Sequence, residues 1–182
     1  MATTTTKLMT FAEFEQLPNP PEGYRRELRH GELFQVSPPK YDRFMIQQIL
    51  RDLLDTAASG AGRAYTEVGF RPLPEGDYRI ADVAYATREK WAAGKAANDF
   101  RGAPEIVVEV LSPSNTVTEM LDKEKLCLEN GCQEFWIVDP TLRLVKISTP
   151  DGRAITYSAG QAIPLFFGGS LAVDAVFVPV EG

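Results

Sequence analysis

Two acidic residues stand inside runs of apolar residues that are typical of buried strands. Asp82 lies within RIADVAYA, and Glu109 lies within EIVVEVLSPS. An ionised carboxylate is costly to bury unless a cation, a hydrogen bond or water satisfies it, so each residue needs a partner. Two interpretations of Glu109 remain open: it binds a functional partner, or it lies on the wet face or near the mouth of a half-exposed strand.

Phosphodiester hydrolysis is a chemistry that uses such oxygens. A divalent cation polarises the scissile phosphate and lowers the pKa of the attacking water, and a nearby ammonium group can orient that water or offset developing charge. Asp82 and Glu109 would supply anionic oxygens to the cation, and Lys123 or Lys125 could supply the ammonium group. A glycosidase that uses the two carboxylates as acid and base is another candidate, although nothing indicates sugar-binding aromatic residues at the site.

The remaining metal-binding residue types restrict the choice of metal. The cysteines, Cys127 and Cys132, have no second pair, and the single histidine, His30, is distant in sequence. These residues can build neither a zinc ribbon nor a disulfide framework, so we interpret both cysteines as small hydrophobic residues. Any metal ion must therefore be held by oxygen, which indicates Mg²⁺, Ca²⁺ or Mn²⁺.

The elements that position these residues alternate between strands and helices. Thr10 and Glu13 indicate a capping box before a short helix, and a turn at His30 indicates a hairpin. Apolar residues recur at helical spacing over residues 41–58. Further predicted strands are AYTEVGF, RIADVAYA, EIVVEVL, QEFWIVD and RLVKIST, and further predicted helices are REKWAAG and TEMLDKEKLCLENG. With residues 151–182 as further hairpin and sheet edge, the pattern predicts an α/β fold.

Length and composition favour an ordinary globular chain. Its 182 residues suffice for one buried core and are few for two domains, so residues 1–182 are predicted to form a single domain. The net charge of −6 argues against a broad basic surface for nucleic acid and leaves room for a local basic cleft. No apolar run approaches the roughly 20 residues of a membrane span, and MATTTTKLMT lacks the core of a secretory signal. We therefore expect a cytoplasmic protein.

Several motifs together resemble a known family. The succession ELRHGEL, RIADVAYA, PEIVVEVLSPSN, a lysine-bearing helix and GCQEFWIVDP is similar to a bacterial family of putative restriction endonucleases, domain-of-unknown-function family 820, in the PD-(D/E)XK nuclease superfamily. The resemblance extends over about residues 10–175. It implies an α/β (α+β) restriction-endonuclease-like core, in which a mixed β-sheet is flanked by helices, and cleavage of DNA with Mg²⁺ or Mn²⁺.

The resemblance also assigns acidic residues to the site. Asp82 matches the superfamily aspartate, and Glu109 matches the acidic residue of the (D/E)XK element, so both are implied metal ligands. Glu27, in the ELRHGEL segment, matches a family acidic residue that is a possible accessory to the site. The usual Pro-Asp dipeptide of the family reads Ala81-Asp82 here, a change that removes no ligand.

The catalytic lysine is displaced in the sequence. Leu111 occupies the place of the lysine in the superfamily pattern, and the family commonly carries that lysine in the following helix, where its spacing falls on Lys123. Lys125 is the alternative if the helix register differs. Two further departures bear on activity: Glu119 stands where the family helix usually has Asp, and Arg43 stands about where a histidine is typical.

Two functions follow from these matches and departures. The first is a metal-dependent DNA endonuclease, and the alternative is a catalytically silent nuclease-fold protein that serves as a binding or assembly module. The family resemblance and the need to cut two antiparallel strands predict a twofold homodimer. Apolar strands near the carboxyl terminus, such as LAVDAVFVPV, could form part of the dimer interface or complete the core.

Overall fold

The computed structural model describes residues 8–177. The helices are α1 (Phe11–Glu15), α2 (Tyr41–Ala58), α3 (Arg88–Ala97), α4 (Val117–Glu129) and α5 (Val173–Val176). The strands are β1 (Arg25–Arg29), β2 (Glu32–Val36), β3 (Gly62–Phe70), β4 (Arg79–Thr87), β5 (Ile106–Val110), β6 (Glu134–Asp139), β7 (Leu144–Ser148), β8 (Ala154–Tyr157), β9 (Ala162–Pro164) and β10 (Ser170–Ala172).

A mixed six-stranded sheet forms the centre of the fold. Its strand order is β3-β4-β5-β6-β7-β8. Strands β5 and β6 are parallel, and all the other neighbours in this sheet are antiparallel. The parallel pair requires a crossover connection, which α4 provides. The predicted mixed sheet flanked by helices is therefore confirmed.

Both faces of the sheet are covered, so its central strands are apolar on both sides. Helix α2, strands β9 and β10 and helix α5 contribute to the core on one face, and α4 contributes to the core on the other. In β5, Val108 and Val110 belong to the first core, whereas Val107 belongs to the second. Because strand side chains alternate between faces, Glu109 shares the face of Val107, beneath α4.

Local sequence signals account for the ends of several elements. Thr10 accepts a hydrogen bond from the backbone of Glu13, whose side chain bonds back to Thr10, so the predicted capping box is confirmed. The predicted hairpin is formed by β1 and β2, and its turn holds His30 at φ 51° and Gly31 at φ 81°. Such positive angles favour glycine, which is the second residue of this turn.

The carboxyl-terminal segment differs from its prediction as a strand. Only its first two residues belong to β10, after which the chain forms α5. Val173, Val176 and Phe177 are buried at helical spacing in the core shared with α2, so this part completes the core. Residues 178–180, the rest of the proposed interface, lie outside the described residues.

None of the helices described between residues 8 and 177 is both long enough and apolar enough to cross a membrane.

Candidate active site

Strands β4 and β5 separate next to Asp82 and Glu109, the two carboxylates that they carry. Pairing between β4 and β5 runs through Val83 and Val108 and stops there, one residue before Asp82 and Glu109. The Val110 N–H donates a 2.7 Å hydrogen bond to Asp82 Oδ2. The Asp82 side chain of β4 thus accepts a hydrogen bond from the backbone of β5 beyond the last backbone pair. This contact fixes Asp82 at the point where the two strands separate.

Asp82 is also bound by two side chains of α2. The Arg43 guanidinium donates to both carboxylate oxygens, through Nε to Oδ2 at 3.1 Å and through Nη2 to Oδ1 at 2.5 Å. Gln47 Nε2 donates to Oδ1 at 2.9 Å. Together with Val110 N–H, these contacts give each oxygen of Asp82 two donors. Asp82 is buried, and its acceptor positions are filled within the protein.

Glu109 is buried beside the ammonium group of Lys123. Nζ of Lys123 lies 2.7 Å from Glu109 Oε1 and 3.6 Å from Glu27 Oε1, and it donates to the carbonyl of Ile80 at 2.6 Å. Glu27 in turn accepts from Ile80 N–H at 2.8 Å and pairs with Arg29. The structure therefore brings together Glu27, Glu109 and Lys123, and Glu109 is not on a wet face.

Burial and charge set the protonation of this cluster. Burial raises the pKa of Glu109 to about 7, although Lys123 partly opposes the effect. Burial alone would lower the pKa of Lys123, but Glu109 and Glu27 outweigh it and raise that pKa. The pKa of Glu27 is lowered despite burial, because Lys123 and Arg29 stabilise its ionised form. Lys123 is therefore a buried cation, and Glu109 is a carboxyl group whose charge changes near neutral pH.

Glu67 is a further acidic residue of the site that the sequence analysis missed. It accepts from Gln47 Nε2 at 2.9 Å, so the Gln47 amide connects it to Asp82. Burial and then the charge of Asp82 raise the pKa of Glu67. Its φ of 54° interrupts the pairing of β3 with β4, which is present at Thr66 and at Val68 on either side. A left-handed non-glycine residue inside a strand is strained, and such strain is often found at functional sites.

Helix α2 delivers its two polar side chains from its core-facing side. Arg43 and Gln47 are one turn apart, and Leu50 and Leu54 continue the same face into the core. Gln47 is completely buried. A glutamine aligned with core leucines is a recognisable sequence signal, because a buried amide needs polar partners. That signal could have located the α2 side of the site.

The other sequence candidates lie away from the carboxylates. Lys125 is exposed and faces Glu129 on the same helix at 3.9 Å. Glu119 forms a capping box with Thr116 at the start of α4 and pairs with Arg29 at 2.9 Å. Glu119, which stands in place of the family Asp, therefore has a structural role in the helix cap. The register of α4 directs Lys123 into the protein and Lys125 toward solvent.

The donor set fits a hard cation only in part. The described residues contain no group of three or more His, Cys, Asp or Glu side chains placed to hold a metal ion. Gln47 Oε1 is buried and receives no hydrogen bond from the described residues, whereas Glu109 Oε1 has the Lys123 ammonium group as its partner at 2.7 Å. Oxygen donors of this kind suit Mg²⁺ or Mn²⁺. Asp82 could join them only after Arg43 withdraws. Asp82 and Glu109 thus fit a cation once the guanidinium has left.

Comparisons with known proteins agree with this architecture. Residues 11–173 match the profile of the Uma2 family, which is described as "Putative restriction endonuclease". Among solved structures, the crystal structure of a putative nuclease belonging to DUF820 from Anabaena variabilis ATCC 29413 matches with a TM-score of 0.82 and 22% identity, covering 93% of this chain and 97% of that chain. At this identity, the likeness concerns the fold. None of the curated proteins matches the chain significantly.

Proposed function

Because the chain belongs to the Uma2 family, described as "Putative restriction endonuclease", we propose that it is a metal-dependent endonuclease that hydrolyses phosphodiester bonds of DNA. The observation that carries this proposal is the buried Lys123 ammonium group 2.7 Å from Glu109, beside the carboxylate of Asp82 at the opening of the sheet. Family membership agrees with the resemblance read from the sequence.

The proposed roles follow from charge and position. Asp82 and Glu109 would hold Mg²⁺ or Mn²⁺, which when bound polarises the scissile phosphate and acidifies the attacking water. Lys123 keeps its proton because two carboxylates surround it. Its positive charge would stabilise the negative charge that develops on the phosphate and would orient the attacking water. Glu27 positions Lys123 from the side of the hairpin, at 3.6 Å.

Cleavage of plasmid DNA tests the proposed function. We expect the purified protein to nick supercoiled plasmid in millimolar Mn²⁺ or Mg²⁺ and to lose this activity when the metal is chelated by EDTA, because the carboxylates alone cannot polarise a phosphate. Gel electrophoresis of relaxed and linear plasmid measures the result. Plasmid that remains supercoiled at every metal concentration, with a correctly folded protein, would contradict the proposal.

A catalytically silent binding module remains the second candidate function, and one observation favours it. Arg43 and Gln47 already fill the acceptor positions of Asp82 that a cation would need. A protein with this arrangement could keep the fold and bind nucleic acid without cleaving it. DNA binding in a gel-shift assay without nicking would favour this second function.

The proposed assembly is a twofold homodimer, since two sites facing antiparallel strands would allow both strands of a duplex to be cut. We expect light scattering at micromolar concentration to give twice the chain mass of 20.1 kDa. Addition of a duplex should not change the number of protein chains in the particle. A particle mass equal to one chain would contradict the dimer.

A further inference from the structure

The guanidinium of Arg43 takes one acceptor position on each oxygen of Asp82. Resting on the proposed function, we propose that Arg43 is an internal competitor for the divalent cation and that a DNA phosphate releases it, so that metal binding is coupled to DNA binding. The first observation is the two-point contact of the guanidinium with both oxygens of Asp82. A cation cannot use those oxygens in the same way while this contact persists.

Charge balance supports competition at this site. Arg43 lies among Asp82, Glu109 and Glu67, and its withdrawal removes a positive charge from beside Asp82. A divalent cation would restore positive charge there, whereas its addition beside the guanidinium would place two cations against the same buried carboxylate.

The electrostatic surroundings of Arg43 extend beyond its direct partner. The charge of Asp82 raises the pKa of Arg43 against the effect of burial, and Glu109 and Glu67 add to it. The guanidinium thus interacts with three carboxylates at once. The same three carboxylates would attract a divalent cation, so the guanidinium and the cation would compete for the same charges.

The two cations of the site differ in their freedom to move. The Lys123 side chain is 7% exposed, and its ammonium group is held by Glu109 and by the carbonyl of Ile80. The Arg43 side chain is 21% exposed and starts from the first turn of α2. Arg43 can therefore swing toward solvent while Lys123 stays in place.

A phosphate group is the chemistry best suited to draw Arg43 away. Guanidinium binds phosphate through two parallel hydrogen bonds, as it binds a carboxylate, so a DNA backbone phosphate can replace Asp82 as its partner. The exchange keeps Arg43 paired and frees one acceptor position on each oxygen of Asp82, while Gln47 and Val110 remain bound to them. Free protein would consequently hold metal weakly, and protein on DNA would hold it more tightly.

Calorimetric titration with Mn²⁺ alone tests the competition. We expect Arg43→Gln to bind Mn²⁺ at least about tenfold more tightly than the wild type, since a charge-assisted contact no longer has to be broken. Arg43→Lys keeps the charge but loses the two-point contact, so its affinity should lie between those two. Arg51→Gln is the matched control, because Arg51 lies on the same helix and, among the described residues, forms its ion pair with its neighbour Asp52. Its Mn²⁺ affinity should equal that of the wild type.

A second titration tests release by phosphate. With a short DNA duplex present, and after subtraction of Mn²⁺ bound by the duplex alone, the wild type should gain Mn²⁺ affinity and Arg43→Gln should not. Equal Mn²⁺ affinity of wild type and both Arg43 variants, or no binding by any of them, would overturn the competition. A wild-type affinity that the duplex leaves unchanged would overturn the release.

These readouts are independent of cleavage. If Arg43→Gln gains Mn²⁺ affinity and no variant nicks plasmid, the competition stands and the proposed endonuclease function fails. If the wild type nicks plasmid and the Arg43 variants bind Mn²⁺ as it does, the function stands and the competition fails.

Discussion

Glu109→Gln is expected to reduce Mn²⁺-dependent plasmid nicking by more than about a hundredfold, since changes even in residues behind metal ligands cost up to that amount. The amide keeps the shape of the side chain and loses the charge that attracts the cation. The fold should persist, because Lys123 keeps the Glu27 carboxylate at 3.6 Å and the amide oxygen of the variant can still accept from its ammonium group. Plasmid nicking and thermal melts, each with and without Mn²⁺, measure the two effects.

Glu134→Gln provides the matched control. Glu134 is also a buried strand glutamate with a raised pKa, but it lies at the opposite end of the β5–β6 pair and accepts from Trp136. Its variant should nick plasmid at the wild-type rate. Asp82→Asn should lose nicking as Glu109→Gln does. Wild-type activity in Glu109→Gln, or equal stabilisation of that variant and the wild type by metal, would show that Glu109 is no ligand.

Lys123→Ala is expected to destabilise the protein by about 3–5 kcal/mol at pH 8, the usual cost of leaving a buried charge without its partner. Glu109 and Glu27 lose the cation that stabilises both of them. The loss should be smaller at pH 6. A carboxyl group with a raised folded pKa stabilises the fold when protonated, and this contribution is lost as pH rises through that pKa. Without Lys123, Glu109 holds its proton to a higher pH.

Urea unfolding at pH 6 and pH 8 measures this difference, and Lys125→Ala is the control. Lys125 is exposed on the same helix, so its removal should change the free energy of unfolding by less than about 0.5 kcal/mol at either pH. The Lys123 variant should also nick more slowly while it still binds Mn²⁺. Equal stability of the two lysine variants at pH 8 would refute the buried ion pair.

Sequence reasoning reached the residues whose chemistry conflicts with their surroundings. An acidic residue within EIVVEVL and another within RIADVAYA require partners wherever those strands lie, so Asp82 and Glu109 could be selected without a structure. The choice between Lys123 and Lys125 needed the register of α4. That helix buries Met120, Lys123, Leu126 and Cys127, so Lys123 is the charged member of an otherwise apolar inward face.

Glu67 and Arg43 were beyond sequence reasoning for a different reason. The position of Glu67 depends on a left-handed backbone angle inside β3, and no residue type in AYTEVGF requires such an angle. Arg43 was noted only as a departure from the family residue. Its role as the partner of Asp82 depends on the packing of α2 against the sheet, which brings together residues 39 positions apart in the chain. Such long-range contacts leave no local pattern in the sequence.

The wide separation of Glu27 and Lys123 in the chain has a consequence for biosynthesis. Glu27 leaves the ribosome early in the hairpin, whereas Lys123 follows nearly a hundred residues later in α4, and β6 must still be made before the β5–α4–β6 crossover can close. Domains generally fold as units during synthesis. A nascent chain therefore lacks the complete carboxylate and lysine cluster until most of the protein has been translated, so an incomplete chain carries no complete site.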